Sequence, residues 1–421
     1  MIDTSVEALR GKRIALLSHS HPSLSKGGAE IATYTLFVGL RELGIDVTLI
    51  VCCADTQRGR LELDDGEFAI FYDSQMYDDF YHLAGADIRR QLATIVAHER
   101  IDLLNAHHFL HTGVGIFHDL ADMGVETVLT IHEFLAICHN HGQMITRSDR
   151  LLCERASPRS CNACFPDRTR QQFALRQRSF ADALANVGSF VSPSHFLAKR
   201  FVEWGVPIEK MHVIENGIVK REAVSPPPLT GGPKIWKYGF FGQINPFKGI
   251  DTILDACAVL AKDKDVRERI RIVVHGNFIG QSDDFIAKFK QAIEDYPFLS
   301  YAGAYDNVIV GRLMGACDYV LAPSTWWENS PVVIQEAFEA RRPVICTGIG
   351  GMAEKVVDNE TGLHFARNDA FDLAAKIVDG ADPALYQRLQ GNLPIVLSPS
   401  DMARRYSAIF SAQLAPDEIP A

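Results

Sequence analysis

Residues 321–354 read LAPSTWWENSPVVIQEAFEARRPVICTGIGGMAE. Asp318 to Ala322 (DYVLA) ends an apolar strand, and a polar loop runs from Pro323 to Asn329. Ser330 suits an N-cap, and Pro331 suits the first helical position, where a missing N–H costs nothing. The pattern predicts a helix over residues 332–340, a second strand at 343–346 and a loop at 347–351. Another helix should start near Met352. Strand, helix and strand in succession are the unit of an α/β fold.

The chemistry lies in the joins. A helix N-terminus presents unpaired N–H groups and the positive end of a dipole, so it attracts phosphate. Glu328 precedes such an N-terminus and Glu336 lies past its first turn. A carboxylate does not bind a diphosphate, but it accepts hydrogen bonds from sugar hydroxyls on either side of one. Two glutamates with seven residues between them therefore suit a nucleotide-sugar.

In these residues the chain resembles the family 4 glycosyltransferases. Glu328 and Glu336 match that family's E-x7-E motif, and Gly350 and Gly351 match its following glycine pair. The resemblance covers nearly the whole chain and is densest in its second half. It implies the GT-B architecture: two Rossmann-like α/β/α domains facing each other across a cleft. It also implies transfer of a sugar, with retention, from a nucleoside-diphosphate sugar to an acceptor hydroxyl, in the manner of a hexosyltransferase. The acceptor would be a glycan or lipid-linked, as in polysaccharide, lipopolysaccharide or glycolipid synthesis. No metal or other cofactor is expected to be required for catalysis.

Length and composition bound the rest. A chain of 421 residues is too long for one core, so two domains are expected. The net charge of −10 argues against a nucleic-acid partner, because phosphate contacts need clustered cations. No apolar run approaches the roughly 20 residues of a membrane span. The N-terminus does not read as a signal peptide, since its apolar run 14–17 is short and meets Ser18, His19 and Ser20. A cytoplasmic location is expected, with peripheral membrane contact open.

The chain opens on a strand at 12–18, a loop, Gly27 and Gly28, a helix over 29–43 and a strand at 46–53. Further strands are expected at 68–72, 101–106 and 126–131, with a helix at 86–99. His19, His107, His108 and His132 all stand at carboxyl ends of strands, where open α/β sheets gather their functional groups. His132 is the candidate among them, because the family has a His after this strand that approaches the donor sugar. Many relatives follow it with Asp, where this chain has Glu133.

Residues 138–178 break the α/β rhythm. They hold Cys138, Cys153, Cys161 and Cys164, and Cys161-x-x-Cys164 is a metal-like spacing that suggests a structural zinc. The same segment carries eight arginines, from Arg147 to Arg178, interleaved with Phe165 and Phe173, with Phe180 just beyond. It is therefore a candidate surface for an anionic membrane. The Pro/Gly-rich stretch 225–233 suits an interdomain linker. The expected domains are residues 1–216, the acceptor side; residues 217–400, the donor side; and a terminal helix in 401–421 that returns to the first domain.

In the second half, the loop GQINPFKG at 242–249 places Lys248 just before a helix start, as part of a diphosphate cradle. Relatives commonly carry an Arg where this chain has Gln243. The resemblance assigns Glu336 to the ribose hydroxyls, and Glu328 with the backbone near Ser330 to the donor sugar. The candidate catalytic residues are His132, Lys248 and Glu328. The candidate donor-binding residues are Gly27, Gly28, Gly242, Lys248, Glu328, Asn329, Ser330, Val332 and Glu336. Two other readings remain open. One is a GT-B epimerase or phosphorylase. The other is an NAD-dependent dehydrogenase, since residues 348–353 fit G-x-G-x-x-A.

Overall fold

Apolar runs of the sequence become the strands of two parallel sheets in a computed structural model that describes residues 3–25, 27–219 and 234–415. The predicted linker at 225–233 lies outside the described residues. The chain divides into two units, Met1–Val219 with Leu397–Ala421, and Lys220–Val396.

The N-terminal unit has seven strands: β1 (Arg13–Ser18), β2 (Asp46–Ala54), β3 (Glu67–Tyr72), β4 (Leu103–Ala106), β5 (Glu126–Thr130), β6 (Ser189–Ser192) and β7 (Met211–Val213). Their order is β3-β2-β1-β4-β5-β6-β7. The chain builds outward from β1 to β3, then returns to the other side of β1 with β4. The switch point of this sheet thus lies between β1 and β4.

The C-terminal unit repeats the device with six strands: β8 (Trp236–Phe241), β9 (Ile270–His275), β10 (Leu299–Gly303), β11 (Tyr319–Ala322), β12 (Val344–Thr347) and β13 (Gly362–Phe365). The order is β10-β9-β8-β11-β12-β13, so its switch point lies between β8 and β11. Both units match the GT-B arrangement of two parallel-sheet α/β domains.

The strands are almost wholly apolar because helices cover both faces of a parallel sheet. In the N-terminal unit, Leu16, Leu49 and Val128 from the sheet meet Leu36, Phe37 and Leu40 from the helix Gly28–Glu42. The helix Pro399–Gln413 completes this core with Met402, Tyr406 and Phe410. It approaches the helix Gly28–Glu42 so closely that a Cβ on Gly39 would stand 2.2 Å from the Pro399 carbonyl oxygen. In the C-terminal unit, Trp236, Tyr238 and Tyr319 lie under the helices Ile250–Leu260 and Ala370–Gly380.

The irregular segment becomes a one-bridge hairpin at Ile145 and Leu152, a short helix Pro158–Cys164 and a long one, Arg170–Leu184. The long helix starts on a capping box between Thr169 and Gln172. Arg176 is buried within it. Its guanidinium donates to the carbonyls of Phe80 at 2.8 Å, Ala136 at 2.8 Å and Leu135 at 2.6 Å. Phe173 and Phe180 are buried as well. These three residues therefore hold the segment to the unit and do not form the membrane-facing surface expected of them. Arg147, Arg150, Arg155, Arg159, Arg170 and Arg178 are exposed. Among the described residues, no helix is long and apolar enough to cross a membrane.

Candidate functional site

In open α/β sheets, ligands bind outside the carboxyl ends of the strands at the switch point. In the C-terminal unit those ends are the loops after β8 and β11, which carry Lys248 and Glu328.

The two loops are built to touch. Asn245 accepts a hydrogen bond from the Lys248 amide at 2.9 Å and caps a single turn, Pro246–Lys248. Gly249 follows with φ +76°, and a Cβ there would sit 1.8 Å from the Pro323 carbonyl oxygen. Only glycine permits both the left-handed backbone and the approach. The Thr325 amide donates to the Phe247 carbonyl at 2.8 Å, and Phe247 stacks on Trp326 with centroids 5.2 Å apart.

This contact brings Lys248 Nζ to 2.6 Å from Glu328 Oε1. The same oxygen accepts from Ser324 Oγ at 2.8 Å and Trp326 Nε1 at 2.9 Å. Burial pushes the Glu328 carboxyl up. The charge of Lys248 and the three hydrogen bonds outweigh that, so its pKa lies below the ordinary value. The carboxylate is thus fixed, ionised and aimed. Its backbone is fixed too, because the Glu328 carbonyl accepts from the Gly351 amide at 2.7 Å.

Glu336 lies in the helix Val332–Glu339 and is buried, as is Asn329. The helix starts at Val332, as expected, but its cap differs from the expected one by a residue. Pro331 is the N-cap, with an extended ψ of 117° and no side-chain cap, and Ser330 stands outside the helix. Ser330 Oγ is buried without a hydrogen-bond partner and does not cap the helix. Proline's preference for the first helical position misplaces the cap here, because extended ψ leaves Pro331 just outside the first turn. The next helix is Gly350–Lys355, so it begins before Met352. Its Gly351 amide is committed to the Glu328 carbonyl and is not free for a pyrophosphate, as the G-x-G-x-x-A reading would want it.

Gly242, at φ +147°, donates to the His275 carbonyl at 3.1 Å and links the ends of β8 and β9. Gln243 is exposed and brings no charge to the loop. Three residues of this neighbourhood carry no sequence motif. Ser324 and Trp326 reach Glu328, and Arg367 donates to the Thr325 carbonyl at 2.5 Å.

In the N-terminal unit, Gly27 caps the helix Gly28–Glu42. A Cβ on Gly27 would stand 2.5 Å from Glu30 Oε2, so the glycine lets Glu30 fold back over the helix start. His132 Nε2 lies 3.0 Å from His107 Nδ1, with the rings stacked. Burial, then the charge of His19, holds His132 down at about 3, so it is a neutral imidazole at physiological pH. The four cysteines are free and half-buried. Among the described residues, no three His, Cys, Asp or Glu side chains are gathered as a metal-holding group.

Comparisons with known proteins agree with this division. The family described as "Glycosyltransferase Family 4" matches residues 26–221, and "Glycosyl transferases group 1" matches residues 237–381. An uncharacterized glycosyltransferase of Methanocaldococcus jannaschii is 27% identical over 145 residues, 34% of this chain and 38% of that protein. A D-inositol 3-phosphate glycosyltransferase of Corynebacterium efficiens is 30% identical over 152 residues, 35% of this chain and 32% of that protein. The matched part thus spans about a third of the length of these relatives. Among solved structures, Anabaena HepE in complex with UDP superposes with a TM-score of 0.69 at 16% identity, over 95% of this chain and 100% of that one.

Proposed function

The chain belongs to the family 4 glycosyltransferases and has the GT-B fold, and from that premise we propose that it transfers a sugar, with retention, from a nucleoside-diphosphate sugar to an acceptor hydroxyl. The observation that carries this reading is the Lys248–Glu328 pair at the switch point of the C-terminal sheet. One cation and one helix N-terminus suit the diphosphate, and two buried carboxyl groups suit the hydroxyls that flank it.

The roles follow from charge. Lys248 and the amides at the start of the helix Val332–Glu339 stabilise the leaving diphosphate as its charge develops. Glu328 and the Asn329–Ser330 backbone hold the donor sugar. Glu336 accepts from the ribose hydroxyls. The donor class is supported by HepE, whose structure holds UDP, at the level of a shared fold. The acceptor read for it is a glycan or a lipid-linked molecule.

A thermal-shift panel of UDP-, GDP- and ADP-sugars tests the reading, followed by mass detection of the free nucleoside diphosphate. The right donor stabilises the folded state by mass action, about 2.7 kcal/mol at a hundredfold excess over its Kd. If no nucleotide sugar shifts the melting temperature, the donor site is misassigned.

A further inference from the structure

The two edges of the N-terminal sheet are finished differently. β3 forms one edge, and there the Gln91 side chain stands in for a further strand. Its Nε2 donates to the Phe71 carbonyl and its Oε1 accepts from the Phe71 amide, both at 2.9 Å. β7 forms the other edge. The Ile214 amide donates inward to the Ser192 carbonyl at 2.9 Å, so Val213, one residue earlier, turns its N–H and C=O outward. Among the described residues no side chain takes up these two groups as Gln91 does at Phe71. An edge left open in this way is a template for another strand.

Beside β7 lies a cleft of about 890 Å³. The helix His195–Trp204 supplies Ala198 and Val202 to its lining, and the helix Pro399–Gln413 supplies Ala408 and Ile409. Met211 and Val213 come from β7 itself. Apolar groups of two helices thus already surround the place where an eighth strand would add to the sheet. The charged groups of the lining are both cations, Lys199 and Arg405, and among the described residues no carboxylate joins them. This is a local reversal in a chain of net charge −10. Lys199 stands 3.9 Å from Glu203, a loose pair with 73% of the lysine side chain accessible. Arg404, the neighbour of Arg405, is the residue that turns to Asp3, at 3.5 Å.

We propose that β7 and this cleft are a docking site for an extended segment of another protein, apolar at its centre and acidic at its flanks, which adds to the sheet as an eighth strand. Main-chain hydrogen bonds to an open edge give such a segment its affinity, and the side chains around it give specificity. Charge decides the kind of partner. A second copy of this chain, docked about a twofold axis, would set β7 against β7 and bring the same cations together, which disfavours that pairing. Acidic flanks instead meet Lys199 on one helix and Arg405 on the other. The site owes nothing to the donor loops, because all its residues belong to the N-terminal unit.

Saturation-transfer NMR on the full chain tests this with three end-blocked peptides, EVIVE, KVIVK and EVPVE. The second reverses the charge, and the third removes the central N–H that a ladder needs. The expected result is binding of EVIVE alone. Its affinity should fall about tenfold in Arg405→Glu, the loss of one charge-assisted contact, and hold in Arg404→Glu, whose side chain lies outside the cleft. An equal response to the three peptides, or none to EVIVE, would overturn the proposal, and that comparison needs only the wild-type protein. Equal affinity in Arg405→Glu would overturn it as well. Sedimentation of the protein alone checks the occupant: a dimer that EVIVE dissolves would put a second copy in the cleft and remove the acidic partner. The melting temperature of each variant, which should match that of the wild type, separates a lost contact from a lost fold.

Discussion

Lys248 and Glu328 hold each other at 2.6 Å with part of the pair buried, so the donor site stores the Lys248 cation on its own carboxylate. An incoming diphosphate competes with Glu328 for that ammonium. It wins only because it carries more charge and also meets the helix N-terminus at Val332. Charge-assisted hydrogen bonds are the strong ones, about 1.5–3 kcal/mol each. Lys248→Met should therefore weaken donor binding roughly 10- to 100-fold. It should also leave Glu328 with burial as the main influence on its carboxyl, so that the carboxyl titrates higher. Glu336→Ala acts on another part of the donor. It removes the proposed ribose contact and should lower affinity by a similar factor, with the fold intact by circular dichroism. Calorimetric titration with the donor from the panel measures both. Unchanged affinity in Lys248→Met would mean that the diphosphate is held elsewhere. Gln243 makes the forecast sharper, because no charge at that position can take over.

At the scale of elements, the regular units were legible and the irregular ones were not. The strands expected at 12–18, 46–53, 68–72, 101–106, 126–131, 318–322 and 343–346 follow from apolar runs because a parallel sheet buries both faces, and that requirement is written locally. The Lys248 and Glu328 loops were legible as motifs. Their contact was not, because it depends on Gly249 meeting Pro323, 74 positions further along the chain, and on Trp326 turning its indole to Glu328. Arg176 misled for a related reason. Its partners are backbone carbonyls 40, 41 and 96 positions away, and no spacing announces them. The cysteine segment stands between these cases. We propose that Cys138, Cys153, Cys161 and Cys164 take a structural zinc. The support is the spacing, together with proximity: neighbouring thiols add to burial in raising Cys138, to about 11, and Cys153. Zinc would remove that repulsion by binding thiolates, and the hairpin and the helix Pro158–Cys164 would have to close on it. Metal analysis of the purified protein should find close to one zinc per chain. Only traces, with the segment equally resistant to protease in chelator, would discard the idea.

Across the whole molecule, acid should act on one unit before the other. His82, His107, His108, His111 and His132 all lie in the N-terminal unit, and burial lowers every one of them, to about 3 for His82 and His132 and about 4 for His111. In the unfolded chain each would titrate near 6.5. Between those values the unfolded state binds more protons, so the stability these groups contribute is whole above pH 6.5 and is lost as pH falls below it. Glu133 has the opposite sign. Its carboxyl is raised to about 8 from an unfolded value near 4.5, so the folded state holds its proton more tightly, and stability falls as pH rises through that window. Five imidazoles outweigh one carboxyl below pH 6.5, and acidification should destabilise the N-terminal unit. In the C-terminal unit, the lowered Glu328 carboxyl loses its contribution only below the ordinary carboxylate range, under about pH 4.5. Scanning calorimetry from pH 7.5 down to 5 should therefore show a transition that moves to lower temperature by several degrees, while the transition of the C-terminal unit moves far less. Glu133→Gln should leave the low-pH shift in place and remove the small loss of stability between pH 6.5 and 8. A melting profile flat from pH 7.5 to 5 would mean that the imidazoles are not held neutral in the folded unit.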